Sequence, residues 1–576
     1  MKINILQDKL PPIPDKDEWV SLDVEMFGMK EHLLHRPTTG KFACLTVCLE
    51  RDPNTVYITE TRTGVMAFIS AIHPGIWAIM NAKFDIMQLR RYANVEKRNK
   101  IWDIMLIEQI MWTGYHNTFA LNDLARRYLR IKLDKDVRDR FATATEMDDE
   151  LREYACKDTP VTLQVAMQQR KVISKRDFYL WKTVEAPFMW ALLDRQGFRV
   201  DYEAWEAKGQ RDKERAEELK ISLDEINLNP NSPAQVREYL ATHGFSGIKN
   251  AQADTIQEYI EAFPDTESAI VGANIIEYKS YSKPSSTYGL DWLYNYAEEE
   301  RPGVWVVFGN YHQIGAETSR TACSDPNMQN IPNDNEHRGK FIARPGNKLI
   351  IMDWSQQEPG ISAFLSKDKN LLKANHAGDD IYIETARIFF NTNITKKDKR
   401  RDVMKAIFLG LSYGLSKWGL AKRLDIDVDE AEKLIKRFMN VIFRDFGLWA
   451  KKQKKKKNFV TTILGRKLYL NPYSGQRERN ALNAPHQGSG SDMMKIATAR
   501  IHAEWISEVV KKIGCKYPFA FVAEVHDEII FDVPEKYAKE IAEWIKKVSI
   551  ETGEWMCPGV KFRVGIEIGD SWSAKE

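Results

Sequence analysis

Two aspartates, Asp353 and Asp527, give the strongest indication of chemistry in this chain, because each lies at or near the end of an apolar run typical of a buried strand. Between them, Arg401 and Lys405 are four residues apart, which places both cations on one face of a helix. Paired carboxylates can hold two divalent ions, and a guanidinium with an ammonium can bind a triphosphate. The combination predicts the transfer of a nucleotide to a 3′ end.

A second group of carboxylates lies in the N-terminal third of the chain. Asp23 and Glu25 are two apart in a strand-like run, so their side chains share one face. Asp85 ends another apolar run and is expected at a strand end, while Tyr154 and Asp158 share a face of a predicted helix. Four carboxylates can bind two metal ions roughly 3.5–4 Å apart, the arrangement of phosphodiester hydrolysis. The pattern predicts a nuclease site in which Tyr154 orients the attacking water.

Length and composition predict an ordinary multidomain globular protein. A chain of 576 residues exceeds one hydrophobic core and suggests about three to four domains. Hydrophobic residues make up 43% and charged residues 29%, which excludes a disordered or fibrous protein. The net charge of +3, from 84 basic and 81 acidic residues, neither requires nor excludes a nucleic-acid partner.

The six cysteines form no CxxC pair, so reduced cysteines are expected and a zinc site is not. The N-terminus lacks the apolar region of a signal peptide, and no run approaches the ~20 apolar residues of a membrane span. These features predict a cytoplasmic protein with no membrane segment.

Three N-terminal motifs resemble those of proofreading 3′→5′ exonucleases. They are Asp23-x-Glu25, Asn81-x-x-Phe84-Asp85 and Tyr154-x-x-x-Asp158, in that order. The resemblance implies metal binding by Asp23, Glu25, Asp85 and Asp158 and a catalytic role for Tyr154. Asp103 resembles a further carboxylate that these families keep, but a helix N-terminal residue would look the same, so both roles stay open.

The rest of the chain resembles family A DNA polymerases, the relatives of bacterial DNA polymerase I. The resemblance rests on four stretches, namely Thr318–Pro332, motif A at Asp353–Glu358, motif B at Arg401–Gly414 and motif C at Val525–Glu528. It implies that Asp353 and Asp527 are the catalytic metal ligands and that Lys405 also donates a proton to pyrophosphate. Two magnesium ions per site are expected, with manganese as an alternative.

The same resemblance implies contacts with nucleotide and DNA. The nucleotide-binding residues would be Arg401, Lys405, Leu409, Tyr413, Glu358, Gln356 and Tyr382. The DNA-binding residues would be Arg320, Asn327, Gln329, Asn330, Arg479, Asn483, Gln487 and His526. Donors such as Arg320 and Gln487 suit the minor groove, where every Watson–Crick pair presents acceptors at nearly the same places.

Departures from the family pattern bear on nucleotide selection. Glu358 aligns with the residue that blocks a ribose 2′-OH, which favours DNA over RNA synthesis. Leu409 replaces the usual Phe or Tyr that packs on the sugar, and Tyr382 replaces a His that touches the phosphates. Pro359-Gly360 replaces Leu-Arg at the end of motif A.

The implied fold is multidomain α/β and α+β, a ribonuclease H-like exonuclease domain followed by a right-hand polymerase. The expected divisions are 1–184 for the exonuclease, 185–300 for connector and thumb, 301–375 for the first part of the palm, 376–475 for the fingers and 476–576 for the second part of the palm. Compact bacteriophage polymerases look similar, so a monomer in the host cytoplasm is expected. The expected partners are primer–template DNA and dNTPs, with a replicative helicase–primase or a single-stranded DNA-binding protein as further candidates.

Other functions are open to tests. A single-subunit RNA polymerase shares the palm and the Arg–Lys helix, although Glu358 and the exonuclease motifs argue against it. A repair enzyme dominated by its exonuclease would carry the same motifs. A non-catalytic DNA clamp would have lost metal carboxylates, and none is lost here.

Overall fold

The computed structural model describes residues 3–29, 36, 39–96, 100–133, 137–378, 380–514 and 517–575. The chain forms two compact units. The first comprises residues 1–196, 309–329 and 350–568, and the second 197–308, 330–349 and 569–576. None of the helices in the described ranges combines the length and apolar character that a bilayer crossing needs.

The first unit begins with a mixed six-stranded sheet in the order β1-β4-β3-β2-β5-β6. Its strands are β1 Asn4–Gln7, β2 Trp19–Phe27, β3 Lys41–Leu49, β4 Asp52–Thr59, β5 Ile76–Ile79 and β6 Lys100–Asp103. Strand β2 pairs antiparallel with β3 and parallel with β5. Its residues are buried apart from Asp23 and Glu25, which are half-buried on one face as the period of two predicts.

Helices cover this sheet. They are α1 Arg62–Ile72, α2 Ala82–Leu89, α3 Ile104–Trp112, α4 Leu121–Leu129 and α5 Asp149–Val172. Helix α5 is fixed to the sheet at Thr159, whose carbonyl accepts a hydrogen bond from Ser21 Oγ at 2.7 Å and whose hydroxyl lies 2.5 Å from Thr46 Oγ1. Helices α6 Lys175–Leu180 and α7 Ala186–Leu193, joined by a π-helical turn, end this stretch.

The second unit combines a bundle of helices with a three-stranded sheet. The sheet contains β7 Phe198–Val200, β8 Ala297–Arg301 and β9 Val304–Val307 in the order β7-β9-β8. The helices are α8 Tyr202–Glu225, α9 Pro233–Thr242, α10 Ala253–Ala262, α11 Glu267–Tyr288, α12 Leu290–Tyr296 and α13 Asn335–Arg338. The apolar faces of α8 to α11 form one core, and Ser232 caps α9 by accepting from Gln235 N at 3.4 Å.

The remaining strands of the first unit build a four-stranded sheet and two hairpins. They are β10 Asn310–His312, β11 Ala322–Ser324, β12 Asn347–Ser355, β13 Phe459–Thr461, β14 Lys467–Tyr469, β15 Phe521–Val525, β16 Glu528–Pro534 and β17 Arg563–Gly569. The sheet order is β15-β16-β12-β17, which places the strand of Asp353 beside the hairpin of Asp527.

The helices that accompany these strands are α14 Gln357–Ser366, α15 Lys369–Ala377, α16 Ile381–Phe390, α17 Lys399–Ser412, α18 Lys417–Leu424, α19 Val428–Arg437, α20 Arg444–Lys454, α21 Arg477–Trp505, α22 Lys511–Ile513 and α23 Ala538–Met556. Helices α14 to α20 share an apolar core that includes Met404, Phe408 and Phe438. The exposed Lys451 and Lys452 lie in the last turn of α20, where cations favour the carbonyl end of a helix.

Cysteines form no disulfide in the described part of the chain. Cys44, Cys48, Cys156, Cys323 and Cys557 are buried thiols, as a reduced protein requires. Cys515 lies outside the described residues.

Candidate active sites

The N-terminal carboxylates come from three adjacent elements. Asp23 and Glu25 project from β2, and Tyr154 and Asp158 lie one turn apart on α5, as the sequence predicts. Asp85 is not at a strand end, because β5 stops at Ile79 and the chain turns at Asn81, whose φ is +59°, before α2 begins. Asp85 therefore lies in the first turn of α2, where the helix dipole favours a carboxylate.

Burial and like charge dominate the surroundings of Asp85. Its side chain is 2% exposed, and its Oδ1 accepts a hydrogen bond from the backbone N–H of Val24 at 2.8 Å. Desolvation raises the pKa of Asp85 well above its usual range, the nearby Asp23 carboxylate raises it further, and the Val24 N–H partly offsets both effects. The Asp85 and Asp23 carboxylates are thus close enough to repel each other.

Tyr154 lies among the same anions. The residue is buried, and desolvation, followed by Asp158 and Glu25, raises the pKa of its phenol. A phenol that keeps its proton is a hydrogen-bond donor, so Tyr154 can orient an oxygen nucleophile in this site. The geometry brings all five predicted residues to one region of the sheet.

Asp103 has a structural role in this site. Its Oδ1 accepts hydrogen bonds from Met105 N at 2.9 Å and Leu106 N at 3.1 Å as the N-cap of α3, and its Oδ2 accepts from Ala82 N at 2.8 Å. The buried carboxylate thus joins the N-termini of α2 and α3 and fixes the helix that carries Asp85. Desolvation raises the pKa of Asp103 to about 6 despite these donors.

The C-terminal pair of aspartates meets on the four-stranded sheet. Val525 pairs with Glu528, so His526 and Asp527 form a two-residue hairpin turn in which His526 has a φ of +57°. Asp353 lies two residues before the end of the neighbouring β12. Desolvation raises the pKa of Asp527, Arg320 opposes this shift, and the Asp353 carboxylate adds to it. The mutual repulsion of Asp353 and Asp527 places them in one site.

Three side chains form a hydrogen-bonded group beside these aspartates. Glu358 Oε1 accepts from Arg320 Nη2 at 3.0 Å and from the Tyr413 hydroxyl at 2.8 Å. Burial raises the pKa of Glu358, whereas Tyr413 and Arg320 lower it. The Glu358 side chain is 13% exposed and the Arg320 side chain 38% exposed, so only the carboxylate of this ion pair is well shielded from water.

Helix α17 carries the predicted pair of cations on one face, as their four-residue spacing indicates. Arg401 and Lys405 lie on the helix, Leu409 is half-buried against the shared core of α14 to α20, and Tyr413 is the C-cap residue. Lys405 is exposed, whereas Arg401 is held by Asp380. This face presents one exposed ammonium and one guanidinium that already has an acidic partner.

Two other predicted nucleotide contacts support this arrangement. Gln356, with a φ of +58°, accepts a hydrogen bond at Oε1 from Ile381 N at 2.7 Å and so helps to cap α16. Tyr382 is 6% exposed, and its ring lies 5.9 Å from the Arg401 guanidinium carbon. Tyr382 is therefore adjacent to Arg401, and Gln356 links motif A to α16.

The predicted DNA contacts are distributed over several surfaces. Asn327 is exposed and accepts from Gln329 N at 3.0 Å, while Gln329 donates to Thr321 O at 3.3 Å. His526 is exposed in the turn beside Asp527. Asn330 belongs to the second unit, where its carbonyl accepts from the Tyr288 hydroxyl.

Helix α21 carries the remaining three predicted DNA contacts, one turn apart. Arg479 is exposed, and Gln487 contacts the Tyr413 hydroxyl. Asn483 is buried, and its Oδ1 atom has no hydrogen-bond partner among the described residues. This oxygen is also closed to solvent, so a DNA contact by Asn483 stays a prediction and requires its side chain to move.

Sequence reasoning missed a buried ionic cluster beneath this site. Lys495 Nζ donates to Glu185 Oε1 at 2.9 Å and to Ser319 O at 3.1 Å, and Arg466 bridges Glu185 and Asp492 at 2.7 and 2.6 Å. Ser319 has a φ of +60° and directly precedes Arg320. The cluster therefore fixes the backbone that presents Arg320. The available signal was the opposite charges of Asp492 and Lys495, three residues apart in a stretch rich in small and apolar residues.

The donor atoms suit hard divalent cations, because both sites offer carboxylate oxygens. The repulsion of Asp85 by Asp23, and of Asp527 by Asp353, is the electrostatic strain that a bound cation would relieve. Across the described residues, however, no three His, Cys, Asp or Glu side chains are already arranged to hold a metal ion.

Two family models match the chain. "DNA polymerase family A" matches residues 202–574, and "3'-5' exonuclease" matches residues 64–173. The first match contains Asp353, Asp527 and motif B, and the second contains Asp85 and Asp158.

Curated relatives agree with these matches. DNA polymerase I of Chloroflexus aurantiacus is 29% identical over 73% of this chain, and DNA polymerase I of Pseudomonas aeruginosa is 28% identical over 85%. The chain spans about half of these relatives' length, 46% and 56% respectively. DNA polymerase I of Aquifex aeolicus is 28% identical over 86% of this chain and 87% of its own length.

Among solved structures, the POL domain of Pol1 from M. smegmatis, in complex with DNA primer-template and dNTP, is similar in fold. The TM-score is 0.77 at 23% identity, and the match covers 96% of this chain and 95% of that chain. Because the polymerase family model covers more than half of the sequence, the chain belongs to DNA polymerase family A, with a 3′–5′ exonuclease domain ahead of its polymerase domain.

Proposed function

We propose that this chain is a template-directed DNA polymerase that extends a primer 3′ end with dNTPs and removes 3′ nucleotides at a separate exonuclease site. The observation that carries the proposal is the meeting of Asp353, on β12, with Asp527, in the turn between β15 and β16, with Arg320, Glu358 and Tyr413 beside them. The similar POL domain from M. smegmatis is in complex with DNA primer-template and dNTP, and we propose primer–template DNA and dNTPs as the substrates of this chain.

Polymerase and exonuclease domains generally use divalent metal ions, and we propose magnesium as the ion here. When bound, two such ions would activate the attacking oxygen and stabilise the leaving group. Asp353 and Asp527 would hold them in the polymerase site, and Asp23, Glu25, Asp85 and Asp158 in the exonuclease site. The charge repulsion within each group supports this assignment.

The chain's own side chains would do the positioning. Arg401 and the exposed Lys405 would bind the triphosphate, and Lys405 would donate a proton to pyrophosphate. Glu358, fixed by Arg320 and Tyr413, is shielded and held in one place, which suits a group that excludes a ribose 2′-OH. Tyr154 would orient the water that attacks the terminal phosphodiester.

With this function we also propose the division into domains that the sequence predicts. Residues 1–184 would form the exonuclease, 185–300 the connector and thumb, 301–375 and 476–576 the palm, and 376–475 the fingers. Arg320, Asn327, Gln329, Asn330, Arg479, Asn483, Gln487 and His526 would contact DNA.

The test is one assay on a labelled primer–template with magnesium. We expect single-nucleotide extension when the matching dNTP is present, 3′ degradation when dNTPs are omitted, and loss of both activities in EDTA. Extension with rNTPs as efficient as with dNTPs would favour an RNA polymerase. Degradation without extension would favour an exonuclease-dominated repair enzyme.

A further inference from the structure

The Arg401 guanidinium already has an acidic partner. Its Nε and Nη2 atoms both donate to Asp380 Oδ2, at 2.9 and 2.7 Å, and Nη1 donates to Asp402 Oδ1 at 3.2 Å. The Arg401 and Asp380 side chains are only 17% and 16% exposed, so the pair is shielded, whereas Asp402 is 73% exposed. Asp380 is therefore the stronger of the two anionic partners.

Asp380 is fixed in position. Its Oδ1 caps α16 by accepting from Tyr382 N at 2.9 Å and Ile383 N at 3.2 Å. The backbone N–H of Ile381, the residue that directly follows Asp380, donates to Gln356 Oε1 of motif A. The carboxylate is thus held by the helix it caps, and that helix is tied to the strand of Asp353. Of the two partners, the long Arg401 side chain is the one that can move.

The edge of the guanidinium that Asp380 occupies is one that a phosphate would use. Guanidinium groups bind carboxylates and phosphates through paired N–H donors on one edge. One oxygen of Asp380 accepts both donors of the Nε–Nη2 edge, and the Tyr382 ring lies 5.9 Å from the guanidinium carbon. A triphosphate that takes this edge must displace Asp380.

We propose that Asp380 competes with the triphosphate of an incoming nucleotide for Arg401 and thereby sets nucleotide affinity. This inference rests on the proposed polymerase function. Asp380 sets the overall affinity and not the choice among nucleotides, because it weakens every triphosphate alike and leaves that choice to the other contacts of the site. The opposite role, in which Asp380 orients Arg401 toward the triphosphate, predicts the opposite change in affinity.

The Asp380→Asn variant separates these roles, because Asn remains a good N-cap while the charge is lost. The measurement is the dissociation constant of the correct dNTP on a chain-terminated primer–template, together with the extension rate on an extendable primer. We expect the dissociation constant to fall about three- to tenfold, the size of a partly shielded ion pair, with the maximal rate changed less than twofold.

A matched control lies at the start of α17. Asp398 caps that helix by accepting from Arg400 N at 2.9 Å and pairs with Arg400 Nη2 at 2.6 Å, so its carboxylate is directed at Arg400. Its hydrogen bond with Arg401 N, at 2.9 Å, uses the backbone carbonyl, which the substitution keeps. Asp398→Asn should leave dNTP affinity unchanged. In an Arg401→Ala background, Asp380→Asn should also have no effect, because the contested guanidinium is gone.

Three outcomes would overturn the competition. The first is an unchanged or weakened dNTP affinity in Asp380→Asn. The second is a tighter dNTP affinity that persists in the Arg401→Ala background, because that would indicate general charge repulsion. The third is the absence of dNTP binding in both wild type and Asp380→Asn. A wild-type protein that binds dNTP but extends no primer would instead refute the proposed function, while the binding data would still decide the role of Asp380.

Discussion

The two carboxylate sites differ in how their charge is compensated. In the N-terminal site, buried Asp85 faces Asp23, and its compensation comes from the backbone N–H of Val24. In the C-terminal site, the side chain of Arg320 lowers the pKa of both Asp527 and Glu358. Backbone N–H dipoles therefore compensate the carboxylate charge in the N-terminal site, and a side-chain cation compensates it in the C-terminal site.

This difference follows from how each site is assembled. The N-terminal site uses neighbouring elements of one sheet, so backbone groups are already within reach of each carboxylate. The C-terminal site collects residues from β12, the β15–β16 turn, α17 and the segment before β11, and side chains must span the gaps. The effect of a substitution in the N-terminal site should therefore stay local, whereas a substitution in the C-terminal site should also affect residues that are linked to it by ionic contacts.

The largest expected effect is the loss of extension in Asp353→Asn. The substitution removes a charge from the proposed metal site, so extension should fall by at least about a thousandfold, while 3′ degradation stays within about twofold of wild type. The check is single-nucleotide extension and primer degradation on the same labelled substrate. Loss of both activities in a folded variant would contradict two separate sites.

Asp23→Ala should have the opposite effect. Removing one of the carboxylates around Asp85 should lower 3′ degradation by about a hundredfold or more and leave extension unchanged. Because Asp23 raises the pKa of Asp85, the variant should also make Asp85 easier to ionise. Degradation at wild-type rate would show that hydrolysis does not depend on this carboxylate group.

Local features of both sites were predictable from the sequence. The period of two places Asp23 and Glu25 on one face, the turn at His526-Asp527 separates two apolar runs, and the four-residue spacing on α17 gives one stripe. These features depend on backbone geometry over a few residues, which the order of side chains reflects directly.

Features that depend on distant contacts were not predictable in this way. The strand-end position expected for Asp85 was wrong because Asn81 turns the chain into α2, and Asp103 caps that region from 21 residues away. Lys495 meets Glu185 across 310 residues, and Arg401 meets Asp380 across 21. A single sequence does not show which of many charged residues find each other through the fold.

Lys495→Met tests whether ionic contacts support the C-terminal site. The variant leaves Glu185 buried with one cation fewer and leaves Ser319 O with the Ser491 hydroxyl as its donor, so the free energy of unfolding should fall by about 3–5 kcal/mol. Extension should fall more than degradation, because Ser319 precedes Arg320. Urea denaturation and both activity assays measure this, with exposed Lys433→Met as the control. Equal loss of both activities would argue against a local link to Arg320.

The smallest expected effect compares two buried carboxyls, one under each site. Desolvation raises the pKa of Glu524 to about 7, and its Oε2 atom has no hydrogen-bond partner within the described ranges. The pKa of Asp103 is raised as well, but its carboxylate accepts hydrogen bonds from three backbone N–H donors. Because the pKa of Glu524 in the folded state lies above its unfolded value of 4.5, the contribution of Glu524 to stability is fully present below pH 4.5 and is lost as pH rises through 7.

Glu524→Gln should therefore raise the free energy of unfolding by about 2–3 kcal/mol at pH 8 and change it little at pH 4. Asp103→Asn should not stabilise the protein at pH 8, because an amide oxygen cannot satisfy all three donors that the carboxylate accepts. Urea denaturation of both variants at the two pH values, in EDTA, measures the contrast. If Glu524→Gln gave the same change at both pH values, the effect would come from packing. Ionisation of the buried Glu524 would then not destabilise the fold at neutral pH.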